Sequence, residues 1–300
     1  MNEVRLEVHS FIVMRITAIV PLRLSEHLFE AEARLQRILA TIDPDLYEVL
    51  IVDYGTSPEH RGVLERLSGA NVRVVRCDVE QEPFSIGHAR DIGAQWASSD
   101  VIVFHDIDFY CTSSMYRRIH EEVEARNLAK NAYDFFCIPV FFLTEFGTTS
   151  VLERMNDPGA DLDVHRRLYE GQTGVTEFAA YGSSAMVVNR AHYLGLGGHS
   201  REFFGHGAED YDVLHRLGAY YGKGPRTADY YTDVKSNQVA LYRGFRAYFA
   251  LYGLDVFSKG IFFIHLWHPK RTIPGYHQSS RNFSLLTELM RKFDRSREQP

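Results

Sequence analysis

The sequence is short of several features that would each have placed it in a class. It holds three cysteines. Cys77, Cys111 and Cys137 are far apart and odd in number, so neither a disulfide framework nor a CxxC metal knuckle can be drawn from them. A reducing, cytoplasmic setting is therefore expected. No run of about 18 apolar residues is available to span a bilayer, and Glu3, Glu7 and His9 interrupt any signal-like stretch. The chain is expected to be soluble, and a peripheral place at the inner face of the membrane is compatible with this. Positive charge is not in excess either. With 33 basic and 39 acidic residues the formal charge is −6, which offers no basic face to a polyanion and sets nucleic acid aside as a partner. An HExxH zinc pattern, a glycine-rich basic phosphate loop near the first strand, internal repeats and low-complexity tracts are all missing.

The remaining sequence is that of a globular chain, 45% hydrophobic and 13% aromatic, enough to bury one large core. Ile16 to Val20 reads as a strand closed by Pro21. A helix follows, opened by Ser25, with Leu28, Ala31, Leu35 and Leu39 at helical spacing. Tyr47 to Val52 is again strand-like and stops at Asp53-Tyr54-Gly55-Thr56, and Val63, Leu64 and Leu67 mark a second helix. Val72 to Val75, the helical Gly87 to Ala97 and the apolar Val101 to Phe104 repeat the unit. This alternation predicts an α/β fold with a mostly parallel central sheet and helices on both faces. Beyond about residue 130 the alternation weakens into an aromatic stretch, Phe135 to Phe146, and a polar one, Asn156 to Gly174, expected as a loop region that closes over the site. Phe283 to Phe293 is amphipathic, and Asp294 to Pro300 is expected to fray.

Ligands in such sheets bind beyond the carboxyl ends of the strands. Asp53, Asp106 and Asp108 all fall at strand exits. Two carboxylates at i, i+2 after a buried strand can face one cation, and oxygen ligands suit Mn2+ or Mg2+. The same acids can equally cap the helix that begins near Ser113. A second cluster, Gly205-His206-Gly207-Ala208-Glu209-Asp210-Tyr211-Asp212, puts three acids in a first helical turn. Complementing the helix dipole, at roughly 0.3–1 kcal/mol each, accounts for the acids but not for two glycines that let the backbone approach a ligand. The third cluster is His265-Leu266-Trp267-His268-Pro269. Its histidines at i, i+3 point to opposite faces of a strand, so they meet only if the chain bends between them.

Taken together, the order of these motifs resembles the inverting GT-A glycosyltransferases, a Rossmann-like nucleotide-diphospho-sugar fold. The resemblance is to the β4-galactosyltransferase-like family and related bacterial capsule and chondroitin-type transferases. Its carriers are Val20-Pro21-Leu22-Arg23, Val52-Asp53-Tyr54-Gly55, Gly87 to Gly93, Phe104 to Asp108, the long segment Tyr181 to Leu217 and His265-x-x-His268. A single domain over 1–300 is implied, with a nucleotide-binding half at about 15–130, an acceptor-binding and catalytic half at about 131–285, and a tail at 286–300.

The resemblance implies metal ligation by Asp106, Asp108, His265 and His268, with Mn2+ or Mg2+ as cofactor, and Asp210 as catalytic base. It implies acceptor contacts from Glu209 and donor contacts from Pro21, Arg23, Asp53, Arg90, Asp106 and Gly207. Tyr181, Trp267 and Tyr276 offer flat apolar faces to an acceptor sugar ring, and core packing accounts for each of them as well. The partners would be a nucleotide-sugar donor, UDP-linked by resemblance, and a glycan acceptor, in bacterial surface polysaccharide synthesis. His206-Gly207-Ala208-Glu209-Asp210 departs from the Trp-Gly-Gly-Glu-Asp common in that family. Two other readings compete: a sugar-phosphate nucleotidyltransferase, and a carbohydrate- or nucleotide-binding protein without turnover.

Overall fold

The computed structural model describes residues 14–25, 29–79, 84–154, 160–170, 174–270 and 278–298. Leu28 and Tyr276 lie outside them. The first half is a run of strand and helix: β1 (Ile16–Leu22), α1 (Ala31–Thr41), β2 (Tyr47–Tyr54), α2 (Arg61–Leu67), β3 (Val72–Cys77), α3 (Ile86–Trp96) and β4 (Val101–Phe104). The second half adds β5 (Phe109–Tyr110), α4 (Ser113–Arg126), β6 (Phe135–Cys137), β7 (Val140–Leu143), α5 (Glu145–Leu152), α6 (Ala160–Tyr169), β8 (Thr176–Ala180), β9 (Met186–Asn189) and α7 (Arg190–Gly195). Then come α8 (Glu209–Gly218), β10 (Asp233–Val234), β11 (Arg243–Gly244), α9 (Phe245–Phe257), β12 (Phe263–His265) and α10 (Ser279–Glu298).

The main sheet has the order β3-β2-β1-β4-β9-β6. Its first four strands are parallel, and β9 enters antiparallel between β4 and β6. Successive residues feed opposite cores. Ala18 and Val20 face one cluster with Leu35 of α1 and Met115 of α4, while Ile19 faces the other with Ala89 of α3 and Leu214 of α8. A strand buried on both faces needs a nearly continuous apolar run, which is how β1, β2 and β4 read, and of the buried polar exceptions Thr17 and Glu48 bond to each other at 3.0 Å. On one face α3 packs so closely that a Cβ at Gly93 would meet Ile19 Cγ2 at 2.3 Å.

The expectation that Pro21 closes the first strand is corrected. β1 continues through Pro21, paired with Val52, to Leu22. The β1–β4 ladder stops at Ile19↔Phe104, so among the described residues β1 beyond it pairs with β2 alone, and a proline is tolerated there.

A second sheet, β5-β12-β7-β8, holds the aromatic stretch. The polar region expected as loop contains α6, on which Asp163 pairs with Arg166 and Arg167; residues 155–159 and 171–173 on its flanks lie outside the described residues. The C-terminal stretch expected to fray is also helical. α10 runs on to Glu298, because Asp294 accepts from Arg226 at 2.7 Å and from the Tyr231 hydroxyl at 2.7 Å. Among the described residues no helix is long and apolar enough to cross a membrane.

Candidate active site

The two sheets are joined at the segment between β4 and β5, which carries Asp106 and Asp108. Neither caps the next helix. That role belongs to Thr112, whose hydroxyl accepts from the Met115 amide at the start of α4. The two carboxylates of the i, i+2 pair have different partners. Asp106 accepts from Arg90 at 2.7 Å and from Ser184 Oγ at 3.3 Å. Asp108 turns to the second sheet.

There the chain does bend as the two histidines require. β12 ends at His265 and irregular backbone brings His268 round, with ring centroids 5.2 Å apart. Asp108, His265 and His268 offer ligand atoms that all lie within 4.8 Å of one another. This donor set fits a divalent cation: one carboxylate oxygen and two imidazoles, with Asp106 outside it. Burial pushes His265 down to about 4, so its ring is neutral and able to coordinate at physiological pH. The ring stacks on Phe142 at 4.4 Å. His268 places Nδ1 2.8 Å from the Pro269 carbonyl, the kind of outer bond that orients a ligating imidazole. Two imidazoles also favour Mn2+ over Mg2+, which prefers oxygen.

Arg34, which the sequence reading missed, ties this cluster together. It is 2% exposed and donates to Asp108 Oδ1 at 2.8 Å, to the Leu266 carbonyl at 3.3 Å and to the Trp267 carbonyl at 2.7 Å. Its signal was a cation on the buried stripe of α1, beside Leu35 and Ile38. Next to it a cavity of about 470 Å3 opens, with Phe29, Thr148 and Trp267 in its lining. Trp267 therefore faces open space, with Phe29 edge-on at 6.3 Å.

Asp210 lies in the first turn of α8, preceded by Gly205, Gly207 and Ala208 at φ of 68°, 118° and 75°. The bend of left-handed residues starts the helix without a side-chain cap, and the Glu209 carboxylate accepts from the Gly207 amide at 2.8 Å. Asp212 pairs one turn on with Arg216 at 2.6 Å, and the dipole account is open to it. It does not describe Asp210, whose Oδ1 accepts from Arg90 at 2.6 Å and from His199 Nε2 at 3.3 Å. Burial works to raise Asp210, but the charge of Arg90 and the bond from His199 outweigh it and hold the carboxyl below its ordinary value. Glu209 goes the other way, raised by burial and by the neighbouring Asp210 charge. Arg90, 1% exposed, thus bridges Asp106 and Asp210, and joins the β4 exit to α8.

The remaining sequence candidates fall into place around this frame. Asp53 is fully buried at the end of β2, accepting from the Thr56 amide at 2.8 Å and from Arg76 at 3.1 Å. Arg23 donates to the Tyr54 and Val79 carbonyls and lies over the Tyr54 and Phe84 rings. These groups form a cluster at the exits of β1 and β2, which Pro21 leads into. Tyr181 stands apart, its ring edge-on to Phe141 and Phe257 on the aromatic core, because β7, β8 and α9 are themselves aromatic.

The sequence model described as glycosyltransferase-like family 2 matches residues 17–288. The chain belongs to this family. The GT-A fold class expected from the motifs stands with it, as does the α/β sheet flanked by helices. No curated protein matches the chain. Among solved structures, residues 1–349 of S. aureus TarS share 15% identity at a TM-score of 0.44, covering 68% of this family 2 chain and 55% of that one. The same protein in complex with UDP-GlcNAc gives 14% identity and a TM-score of 0.47, covering 69% and 54%. The chain spans about half the length of these structures.

Proposed function

We propose that this chain is a metal-dependent inverting glycosyltransferase that moves a sugar from a nucleoside diphosphate donor to a glycan hydroxyl. The observation that carries the reading is the pairing of two sites at the β4 exit: a triad built for a divalent cation and, linked to Asp106 through Arg90, a carboxylate held ionised at the start of α8. When bound, the cation supplies charge neutralisation for a departing diphosphate. Asp108, His265 and His268 would hold it, and Arg34 keeps Asp108 and the loop carrying both histidines in register. Arg23, backed by the buried Asp53 and Tyr54, would contact the nucleoside.

Asp210 takes the proton of the acceptor hydroxyl as that oxygen attacks the anomeric carbon. A carboxylate held below its ordinary value is a weak base before the reaction, and it suits a late proton transfer in which the hydroxyl becomes acidic as its bond to carbon forms. A single base opposite the leaving group gives one in-line displacement and inversion. Trp267 and its cavity offer the acceptor glycan an aromatic face with a polar rim. The finer kinship with β4-galactosyltransferase-like and capsule-type enzymes, and a place in surface polysaccharide synthesis at the inner membrane face, belong to the same reading.

The test is a donor-hydrolysis screen with UDP-, GDP-, CMP- and TDP-sugars, with and without Mn2+. Release of one nucleotide that needs Mn2+ and disappears in Asp108→Ala and His268→Ala supports the site. Asp210→Asn is expected to retain donor affinity and lose about 10²–10⁴-fold in transfer to an acceptor. Retained anomeric configuration in the product, read by NMR, or unimpaired turnover of Asp210→Asn would overturn the assignment. Pyrophosphate as product would point to a nucleotidyltransferase instead.

A further inference from the structure

We propose that His199 is a buried imidazolium and the positioning residue of Asp210, fixing which of its two oxygens receives the acceptor's proton. The inference rests on the role given to Asp210 above. His199 is 2% exposed and follows Gly198 out of α7. Its Nδ1 lies 2.6 Å from the Tyr193 hydroxyl, and its Nε2 lies 3.3 Å from Asp210 Oδ1. The charge state follows from counting hydrogens. Tyr193 has one hydroxyl proton and donates it to Asp91 Oδ1, so its oxygen must accept from His199 Nδ1–H. Asp210, ionised beside Arg90, can only accept, so Nε2 must carry a proton too.

Every charged or titratable neighbour is consistent with this count. From α3, Asp91 accepts the His199 backbone amide at 2.9 Å, while Arg90 is the opposing cation. Tyr193 faces the ring from α7 and Asp210 from α8, and on the segment after His199 the Arg201 guanidinium lies 3.9 Å from Asp91. Burial by itself lowers His199, and the bonds to Asp210 and Asp91 outweigh it and raise it.

The fold makes room for this arrangement at two glycines. A Cβ at Gly87 would lie 2.9 Å from His199 Cβ, and one at Gly198, where φ is +65°, would lie 2.4 Å from Asp91 Oδ1. The consequence for Asp210 is directional. Arg90 and His199 both donate to Oδ1, and among the described residues Oδ2 has no hydrogen-bond partner. Oδ2 is thus the oxygen left to take the acceptor's proton while the acceptor–carbon bond forms and the carbon–diphosphate bond breaks. His199 keeps both its protons throughout.

The experiment uses the full chain labelled with 15N-histidine, with His199 assigned by its loss in His199→Gln. Both ring nitrogens are expected to show protonated shifts at about pH 8, well above the ordinary histidine value of about 6.5. A neutral tautomer at that pH overturns the proposal, whatever the variants do. In kinetics, His199→Gln keeps a neutral donor toward Asp210. It is expected to bind donor as the parent does, to lose about ten-fold in kcat, the difference between a hydrogen bond from a charged donor and one from a neutral donor, and to lose the parent's fall of kcat at alkaline pH. His199→Leu should fall further. An unchanged alkaline limb in His199→Gln also counts against the proposal. If the imidazolium is present but Asp210→Asn turns over normally, the role of Asp210 fails; if Asp210→Asn is inactive but His199 is neutral, only the present inference fails.

Discussion

Replacing Arg90 by methionine tests the frame of the site through stability, without any knowledge of the substrate. Arg90 is buried and is bonded to Asp106 at 2.7 Å and Asp210 at 2.6 Å, with its guanidinium over the Phe104 ring. Methionine fills much of the same volume and removes the charge. Leaving a buried ion pair half-made costs about 3–5 kcal/mol. With an unfolding entropy of about 2.1 cal/mol/K per residue, that is a fall in Tm of roughly 5–8 °C for a chain of this length.

The sign of the pH dependence is the sharper test. In the parent, Asp210 is held below its ordinary value, so its contribution is present above its unfolded pKa of about 3.9 and is lost as pH falls through the folded one. In Arg90→Met, Asp106, Glu209 and Asp210 face one another with His199 as the counter-charge, and at least one carboxyl is raised. A raised carboxyl favours the fold below its unfolded pKa, and that advantage is lost as pH rises through its folded one. The stability gap between parent and variant should therefore be larger at about pH 8 than at about pH 5. Denaturation at both pH values reads this. A loss under about 1 kcal/mol at the higher pH, or a gap that does not change with pH, would refute the argument. Arg90→Lys should fall between, since one ammonium cannot fork two carboxylates.

Three further outcomes are expected. Asp108→Asn and His268→Ala should each weaken Mn2+ binding, read by the EPR signal of free Mn2+, by at least the roughly ten- to hundred-fold that loss of a mere outer-shell partner costs, and Mn2+ should bind the parent more tightly than Mg2+; equal affinity for both ions would contradict the two-imidazole site. Gly198→Ala puts a Cβ against Asp91 at a left-handed φ, and should cost about 1–3 kcal/mol in urea denaturation while shifting the His199 ring signals; a neutral substitution would mean the contact is slack. His105 and His215 are both lowered to about 4 by burial, so each contributes stability that is present above its unfolded value of about 6.5 and is lost as pH falls from there toward 4. Replacing His215 by a neutral residue should flatten that part of the stability profile, and an unchanged slope would show that the ring is not held neutral.

The sequence by itself determined the layout of the first half. Residues such as Ile16–Val20, Tyr47–Val52 and Val101–Phe104 form strands buried on both faces because nearly every position is apolar, Thr17 and Glu48 excepted, and Leu35 and Leu64 mark helix faces that cover them. It also marked the candidate site positions, since strand exits and a glycine-rich helix start are local features. Even the bend between His265 and His268 could be stated as a condition, because strand alternation alone forbids their meeting.

Only the tertiary structure decided which side chains meet. The i, i+2 spacing of Asp106 and Asp108 does not reveal that one turns to Arg90 and the other to Arg34, because those partners arrive on α3 and α1. Nor does any local pattern place His199 against Asp210: that contact depends on α7, α8 and α3 packing on one face of the sheet, with glycine at 87 and 198 to allow the approach. Tyr181 has the residue type of a sugar platform, and it packs against aromatic rings of β7 and α9 that are distant in sequence. Periodicity is a property of neighbours along the chain and can be read there. A charge network is a property of neighbours in space, and it exists only once the sheet has brought them together.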